Sequence, residues 1–261
     1  MSERSSRGPW MWPLALAAVG VVLLLDNFLL LGDFNLAALW PLILVAAGAQ
    51  ILLRGDLLAS DDVRTFGITR GSVESATLEI QAADIDVQVR GLQREGRLIA
   101  GQFAAASRPQ MRVSDLHAHL RLDRAATPWF SFADWEMALA RDLPWQILVS
   151  THLGQVRLDL SGLIVGEAIV GTGLGDIRVV APREAFAPLR LRSALGNIHL
   201  ITPVGHHARV IVAASRLFRV HTDPNRYEQV EPGVYLARDA DNEAPLVTVT
   251  ISGTFGDAFL S

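Results

Sequence analysis

The stretch THLGQVRL at residues 151–158 decides the fold, because it returns twice at intervals of 21 residues, as TGLGDIRV at 172–179 and as SALGNIHL at 193–200. A fixed period of this length is typical of stacked structural repeats, since one unit is too short to bury its own apolar face. The repeat therefore predicts a stacked β-solenoid-like domain with rungs of about 21 residues, in which neighbouring strands lie about 4.8 Å apart.

Apolar and polar residues alternate within each copy of the repeat, which is typical of a strand with one buried face. Arg157, Arg178 and His199 occupy the same polar position in the three copies, so we expect them to form one outward ladder. A second strand in each unit shows the same alternation and places Arg190 outward. These four residues are the candidate interaction ladder. Its charges indicate either contact with an anionic partner surface or local neutralisation by Asp159, Asp176 and Glu167.

A glycine stands at the same place in each copy of the repeat, at Gly154, Gly175 and Gly196. The chain must turn there to pass from one strand to the next, and such a turn favours a residue that is free to adopt positive φ. The sequence therefore predicts that these three are turn glycines.

Further strands are expected on both sides of the repeats. Residues 78–89 and 247–252 alternate in the same way, and we interpret them as outer rungs or flanking strands. Open ends of a β stack are templates for edge addition, so these two strands would allow copies of the chain to pair and polymerise. Shorter strand candidates lie at 102–103, 110–113, 117–122, 135–139 and 146–149, and no helix is expected after residue 60.

The N-terminal part of the chain has a different composition. Residues 10–53 hold only two charged residues, Asp26 and Asp33, and two apolar runs are separated by residues 32–35. Each run approaches the 17 to 25 residues, roughly, that cross a bilayer core. The sequence predicts an N-terminal tail at 1–9, a two-helix transmembrane hairpin at 10–54, a linker at 55–72, the first β strands at 73–150, and repeated rungs with capping strands at 151–261. Two buried helices of a soluble protein are the alternative, but no amphipathic segment is available to wrap them.

The arginines flanking the apolar runs predict the orientation. Arg4 and Arg7 precede the first run and Arg54 follows the second, whereas the intervening part carries only Asp26 and Asp33. Positive residues stay on the cytoplasmic side, so we expect two spans in a bacterial cytoplasmic membrane with both termini cytoplasmic. A signal peptide would require a small-residue cleavage site after the first run, and none follows it.

The overall composition disfavours several functions. The formal net charge is −4, without a basic stripe, which argues against nucleic acid as a partner. All 23 basic residues are arginine, so lysine amine chemistry is not expected, and the absence of cysteine excludes disulfides and thiolate catalysis. We expect no cofactor.

Several segments resemble a known family. LLDNF at 24–28 and WPLILV at 40–45 look like the two-helix membrane segment of the LiaI/LiaF-like bacterial envelope-stress proteins. Residues 77–80, 84–87 and 158–163 are similar to the "toast-rack" β domain that follows this segment in such proteins. The resemblance implies a non-enzymatic membrane protein linked to cell-envelope stress, in some relatives acting as a brake on a sensor histidine kinase.

Two groups of polar residues suggest chemistry and have simpler interpretations. Asp84 and Asp86 could form the paired carboxylates of a carbohydrate-active β-solenoid, but such enzymes need a second wall to form a cleft. His117 and His119, with Asp115, could begin a metal site, but the spacing fixes no further ligands. We interpret both groups as solvated strand faces, with no catalytic or metal residues. Two hypotheses remain: a membrane-anchored regulatory or interaction module, and a self-assembling structural protein at the membrane.

Overall fold

The computed structural model describes residues 63–93, 96–104, 109–123, 135–238, 240–241 and 244–261. The chain divides into two compact units between Gly55 and Asp56, and all of the described residues belong to the second unit. The hairpin predicted over residues 10–54 lies outside the described residues. Those that are described include no helix of the length and apolarity needed to cross a membrane.

The described part of the chain is built from 19 strands. In chain order they are β1 Val63–Thr69, β2 Ser75–Asp84, β3 Val87–Gly91, β4 Arg97–Ala104, β5 Gln110–Ser114, β6 His117–Asp123, β7 Trp135–Leu139, β8 Pro144–Leu153, β9 Val156–Asp159, β10 Ile164–Leu174, β11 Ile177–Val180, β12 Glu184–Ala185, β13 Leu189–Leu195, β14 Ile198–Ile201, β15 His207–Ala213, β16 Phe218–Thr222, β17 Tyr227–Glu231, β18 Val234–Ala237 and β19 Leu246–Leu260.

The strands form two hydrogen-bonded layers. Sheet A has the order β1-β4-β7-β3-β9-β11-β14-β19-β16. Sheet B has the order β5-β6-β2-β8-β10-β13-β19-β15-β18-β17, with the short β12 beside β10. The 15-residue β19 contributes its first part to sheet B and its last part to sheet A, so all 19 strands are connected.

The 21-residue repeat corresponds to parallel rungs. Ile177 pairs with Val156 on one side and with Ile198 on the other, so equivalent positions of the three copies are adjacent. All three side chains are fully buried, because the inward faces of both sheets contribute to one apolar core. In each of these rungs a strand of sheet B passes through a corner into a strand of sheet A. The prediction of stacked rungs is therefore confirmed in the described residues.

The two strands predicted as outer rungs or flanking strands do flank the repeat rungs directly, but they lie inside the stack and not at its ends. Residues 78–89 form most of β2 and β3, with a corner at 85–86, and they lie between β6–β7 and β8–β9. Residues 247–252 belong to β19, which lies between β13–β14 and β15–β16. Both edges of each of these strands are thus already paired. They cannot serve as the free ends through which copies of the chain would polymerise.

The stretch 55–72, predicted as a linker, contains the seven-residue strand β1. This strand pairs antiparallel with β4, with Phe66 opposite Gly101 and Ile68 opposite Ile99. Phe66 and Ile68 pack against the core, so that burying two apolar side chains stabilises the strand at the border of sheet A.

Candidate interaction face

Three of the four candidate residues form the expected ladder on sheet A. Arg157 on β9, Arg178 on β11 and His199 on β14 are direct neighbours in the parallel register. The two arginines are exposed and His199 is half-buried. The inward residues on either side of each, such as Ile177 and Val179 around Arg178, anchor these strands in the core. The three side chains therefore occupy equivalent outward places on adjacent rungs.

The same row continues onto two aromatic residues that the sequence analysis did not include. Phe259 on β19 pairs with His199, and His221 on β16 pairs with Phe259. The Phe259 ring stacks on both imidazoles, with centroid separations of 4.7 Å to His199 and 5.0 Å to His221. We call the five residues Arg157, Arg178, His199, Phe259 and His221 the cation–aromatic ladder.

Arg190 does not belong to this row. It lies on β13 in sheet B, where its neighbours are Ile169 and Thr250. The grouping of Arg190 with the other three residues is therefore not supported by the structure, because the two strands of one repeat unit enter different sheets. Alternation correctly gives Arg190 an exposed position, but it does not say to which sheet a strand belongs.

Charges around the cation–aromatic ladder are only partly neutralised. Among the described residues no carboxylate forms an ion pair with Arg178, and Arg157 donates a hydrogen bond to the side-chain amide oxygen of Gln155. At the far end of the row, His221 lies 3.5 Å from a carboxylate oxygen of Asp257. The ladder thus presents two guanidinium groups and a stacked aromatic surface, which suit carboxylates and planar groups.

The three predicted turn glycines form the corner that positions this face. Gly154, Gly175 and Gly196 all have positive φ, at 139°, 145° and 143°. A Cβ on Gly175 would lie 2.1 Å from the carbonyl oxygen of Gly154, and one on Gly196 would lie 2.1 Å from that of Gly175. Gly256 is a fourth member at φ 122°. Glycine is required at this corner both for its backbone conformation and for the close approach of successive rungs.

Side chains next to these glycines connect the rungs through hydrogen bonds. Oδ1 of Asp176 accepts the backbone N–H of Asn197 at 2.7 Å, and Oδ1 of Asn197 accepts that of Asp257 at 3.0 Å. Asp86 does the same two rungs before Asp176, accepting the N–H of Gln155 at 2.7 Å. Asp86 therefore has a structural role at the corner.

The histidines on β6 are held by hydrogen bonds to β2. His117 bonds Ser75 and Thr77 at 2.8 and 2.9 Å, and His119 bonds Glu79 at 3.2 Å. No group of three metal-binding side chains occurs among the described residues. Nearby, the hydrogen bond that Arg121 donates to Asp123 raises the pKa of the Arg121 guanidinium, with the Asp123 and Glu79 charges contributing. The two histidines therefore take part in a polar network between β6 and β2.

A small recess lies near β17. Its lining consists of Thr202, Pro203, His206, Arg226, Tyr227 and Ala237, and it has no room for a water molecule. Burial raises the pKa of the Tyr227 phenol, against the lowering effect of its hydrogen bond to Thr202. This recess is part of the packing and is not a ligand pocket.

Signals for the two missed ladder residues exist in the sequence. Residues 256–260, GDAFL, repeat the order of 196–200, GNIHL, with Phe259 in place of His199. Residues 218–222 keep the alternation without a glycine. The relationship of these two segments to the repeat is hard to recognise, because Phe259 is apolar at an outward position and residues 218–222 lack the glycine.

Comparisons with known proteins agree with both parts of the chain. Residues 10–52 match the LiaI-LiaF-like transmembrane region. The chain therefore carries a transmembrane region of the LiaI-LiaF-like type, and the resemblance inferred from residues 24–28 and 40–45 is confirmed. A transmembrane region of this kind implies association with a membrane.

Solved structures resemble the β-rich part. A provisionally assigned cell adhesion protein from Clostridium sporogenes has a TM-score of 0.65 and 14% sequence identity, over 76% of this chain and 97% of that one. A provisionally assigned adhesin from Bacteroides fragilis has a TM-score of 0.29 and 10% identity, over 78% of this chain and 99% of that one. The first likeness shows a shared fold alone, and the second carries no argument. No curated protein matches the chain.

Proposed function

We propose that the protein is a membrane-anchored, non-enzymatic interaction module that serves the envelope stress response of a bacterium. The match of residues 10–52 to a LiaI-LiaF-like transmembrane region supports the anchor. In this proposal the anchor is a two-helix hairpin in the cytoplasmic membrane. Both termini are cytoplasmic, because Arg4, Arg7 and Arg54 flank the two apolar runs.

The observation that carries the proposal is the cation–aromatic ladder. Five outward side chains from five adjacent strands form one continuous row. Like charges on neighbouring strands repel each other, so placing Arg157 beside Arg178 lowers the stability of the free protein. The presence of the pair is explained if the two guanidinium groups bind a partner. A flat row of this kind suits contact with another protein surface, because its guanidinium groups bind carboxylates and its stacked rings offer apolar area.

The partner that fits this face is a protein surface with exposed carboxylates. A membrane sensor kinase or another envelope protein meets this description in the same membrane, and a second copy of the chain is the alternative partner. The ladder is too short to supply a large interface by itself. The shared membrane compensates by confining both partners to two dimensions, which raises their effective concentration.

Charge reversal tests the proposal. Arg157→Glu with Arg178→Glu reverses the centre of the ladder, and Arg190→Glu with Arg209→Glu makes the same charge change on sheet B as a matched control. Full-length protein would be cross-linked in native membranes, and the cross-linked partners quantified by mass spectrometry. We expect the ladder variant to lose its dominant partner by at least about tenfold, equivalent to about 1.4 kcal/mol of binding free energy, while the control retains it.

Two outcomes would contradict the proposal. Equal partner recovery from both variants would show that the ladder is not the docking face. If the only cross-links recovered join copies of this chain, the ladder binds a second copy of the chain and not a kinase or another envelope protein. A circular dichroism spectrum identical to the unaltered protein verifies that each variant is folded.

A further inference from the structure

A row of exposed apolar side chains runs along the glycine corner. Leu153, Leu174, Leu195 and Phe255 are neighbours in the register of sheet B, and the carbonyl of Leu217 accepts the N–H of Gly256 on the next rung. Their exposed fractions are 46%, 51%, 50%, 44% and 57%. We call these five residues the apolar ridge. One member comes from each of five successive rungs.

The ridge follows from the geometry of the corner. Strict alternation would turn the residue after the outward Gly173 into the core, yet Leu174 is exposed. The next residue, Gly175, has φ 145° and turns the chain from sheet B to sheet A, so the side chain before it stays on the outside of the bend. The corner itself needs only the glycine. A large apolar residue at this place in five successive rungs is therefore not explained by core packing.

We infer that the apolar ridge inserts into the headgroup and upper acyl region of the lipid bilayer to which the chain is anchored. The anchor brings lipid within reach, because residues 53–62 between the matched transmembrane region and β1 can span at most about 35 Å. A bilayer is thus the apolar phase nearest to the domain. This inference requires the membrane anchor of the proposed function but not a partner at the cation–aromatic ladder.

The shape of the ridge favours lipid over a second protein. Five half-exposed side chains supply on the order of 400 Å² of apolar surface, about half of what each partner buries in a standard protein interface. The ridge is one side chain wide and lies on a convex corner. Such a protrusion can enter the fluid lipid–water interface without a complementary groove. Each inserted side chain then adds its own buried apolar area to the free energy of membrane binding.

Arginines lie at suitable places behind the ridge. Arg178 follows Leu174 by four residues on sheet A, and Arg192 precedes Leu195 by three residues on sheet B, both exposed. With the ridge inserted, their long side chains can reach lipid phosphates on either side. The Asp176 carboxylate at this corner accepts the N–H of Asn197. The surroundings of the ridge thus suit the phosphate layer of a membrane.

The absence of cysteine from the chain allows a direct test with single fluorescent labels. Full-length protein carrying Leu174→Cys or Leu195→Cys would be labelled with an environment-sensitive fluorophore and placed, one copy per disc, in phosphatidylcholine nanodiscs. Phe186→Cys is the matched control, since Phe186 is 68% exposed and lies where the chain returns from β11 in sheet A to β13 in sheet B. We expect blue-shifted emission and several-fold quenching by lipids with nitroxide-labelled acyl chains at both ridge positions, and neither effect at the control.

Each other result would overturn the inference in a recognisable way. Ridge labels as water-exposed as the control label, on protein retained in the discs, would refute insertion while leaving the anchor intact. A blue shift that requires two copies per disc and is insensitive to the lipid quencher would assign the ridge to a second copy of the chain. Failure of the full-length protein to be retained by lipid would refute the anchor, and the inference with it.

Discussion

The backbone N–H of Asn197 donates a 2.7 Å hydrogen bond to Oδ1 of Asp176, a residue that stands at the same corner position one rung away. The bond connects residues 21 positions apart in the chain. It satisfies an amide at the point where the strand ladder is interrupted by the turn at Gly196. The corner is thus stabilised by a side chain where the backbone alone has no partner.

Removing this acceptor should destabilise the stack. We expect Asp176→Ala to lower the free energy of unfolding by about 1 to 2 kcal/mol, because the Asn197 amide loses its partner. For a domain of this size that corresponds to a melting temperature lower by about 2 to 8 °C. Asp176→Asn is the control, since it keeps Oδ1 and should retain most of the stability. Thermal unfolding of the full-length protein in detergent, followed by circular dichroism, measures both, and an equal loss for both variants would contradict the role of Oδ1.

A methyl group at the glycine corner should be poorly tolerated. The Cβ of Gly175→Ala would lie 2.1 Å from the Gly154 carbonyl oxygen at φ 145°, so the rungs must separate or the backbone must change. We expect a loss of about 2 to 4 kcal/mol, visible in the same thermal unfolding experiment. Gly171→Ala, on strand β10, is the matched control, because its Cβ would meet nothing within 4 Å. A Gly175→Ala protein as stable as the control would show that the corner is not closely packed.

Shortening an apolar side chain of strand β11 should lower the free energy of unfolding much more on the inward face than on the outward face. Ile177 is fully buried, and Ile177→Ala should lower the free energy of unfolding by about 2 to 5 kcal/mol through lost apolar contacts and a cavity. Val180→Ala on the same strand removes a half-buried side chain and should cost less than half as much. Urea denaturation of the full-length protein in detergent compares the two. Similar losses would mean that the outward and inward faces of β11 are assigned wrongly.

Tyr227 should make the protein less stable in alkali. Its pKa is raised by burial, so above a pH of about 10 the unfolded chain ionises this phenol while the folded chain keeps it neutral. Stability is therefore full below pH 10 and falls as the pH rises further. Tyr227→Phe should lose about 1 kcal/mol at pH 7, because its hydrogen bond to Thr202 is gone, and should show a smaller decline from pH 9 to 11. An unchanged decline would contradict this account.

The described strands near the repeat follow closely from the sequence. The inward places of Ile177 and Ile198 and the outward places of Arg157 and Arg178 result from a period of two, which is a local property of an extended chain. The positive φ at Gly175 follows from the requirement for a turn between two strands. These features need only neighbouring residues for their explanation.

The full membership of the cation–aromatic ladder does not follow from the local sequence pattern. Arg157 and Arg178 become neighbours because their rungs are consecutive, and the repeat predicts this. His199 and His221 are separated by Phe259 only because β19 enters between β14 and β16 after an excursion through β17 and β18. The alternation of apolar and polar residues predicts which face of β19 is buried. It does not predict which strands pair with β19, because any strand with the same alternation could form the same backbone hydrogen bonds.

The sequence by itself determined the rung length, the buried and outward faces of the strands, the glycine corner and the apolar N-terminal segment, because periodicity, backbone freedom and hydropathy are encoded residue by residue. Only the tertiary structure decided which strands are neighbours: that β2, β3 and β19 lie inside the stack, that Arg190 lies on the other sheet, and that Phe259 completes the ladder. The physical reason is that inserting these strands pairs both of their edges and joins their apolar faces to the common core. That gain depends on partners distant in the chain.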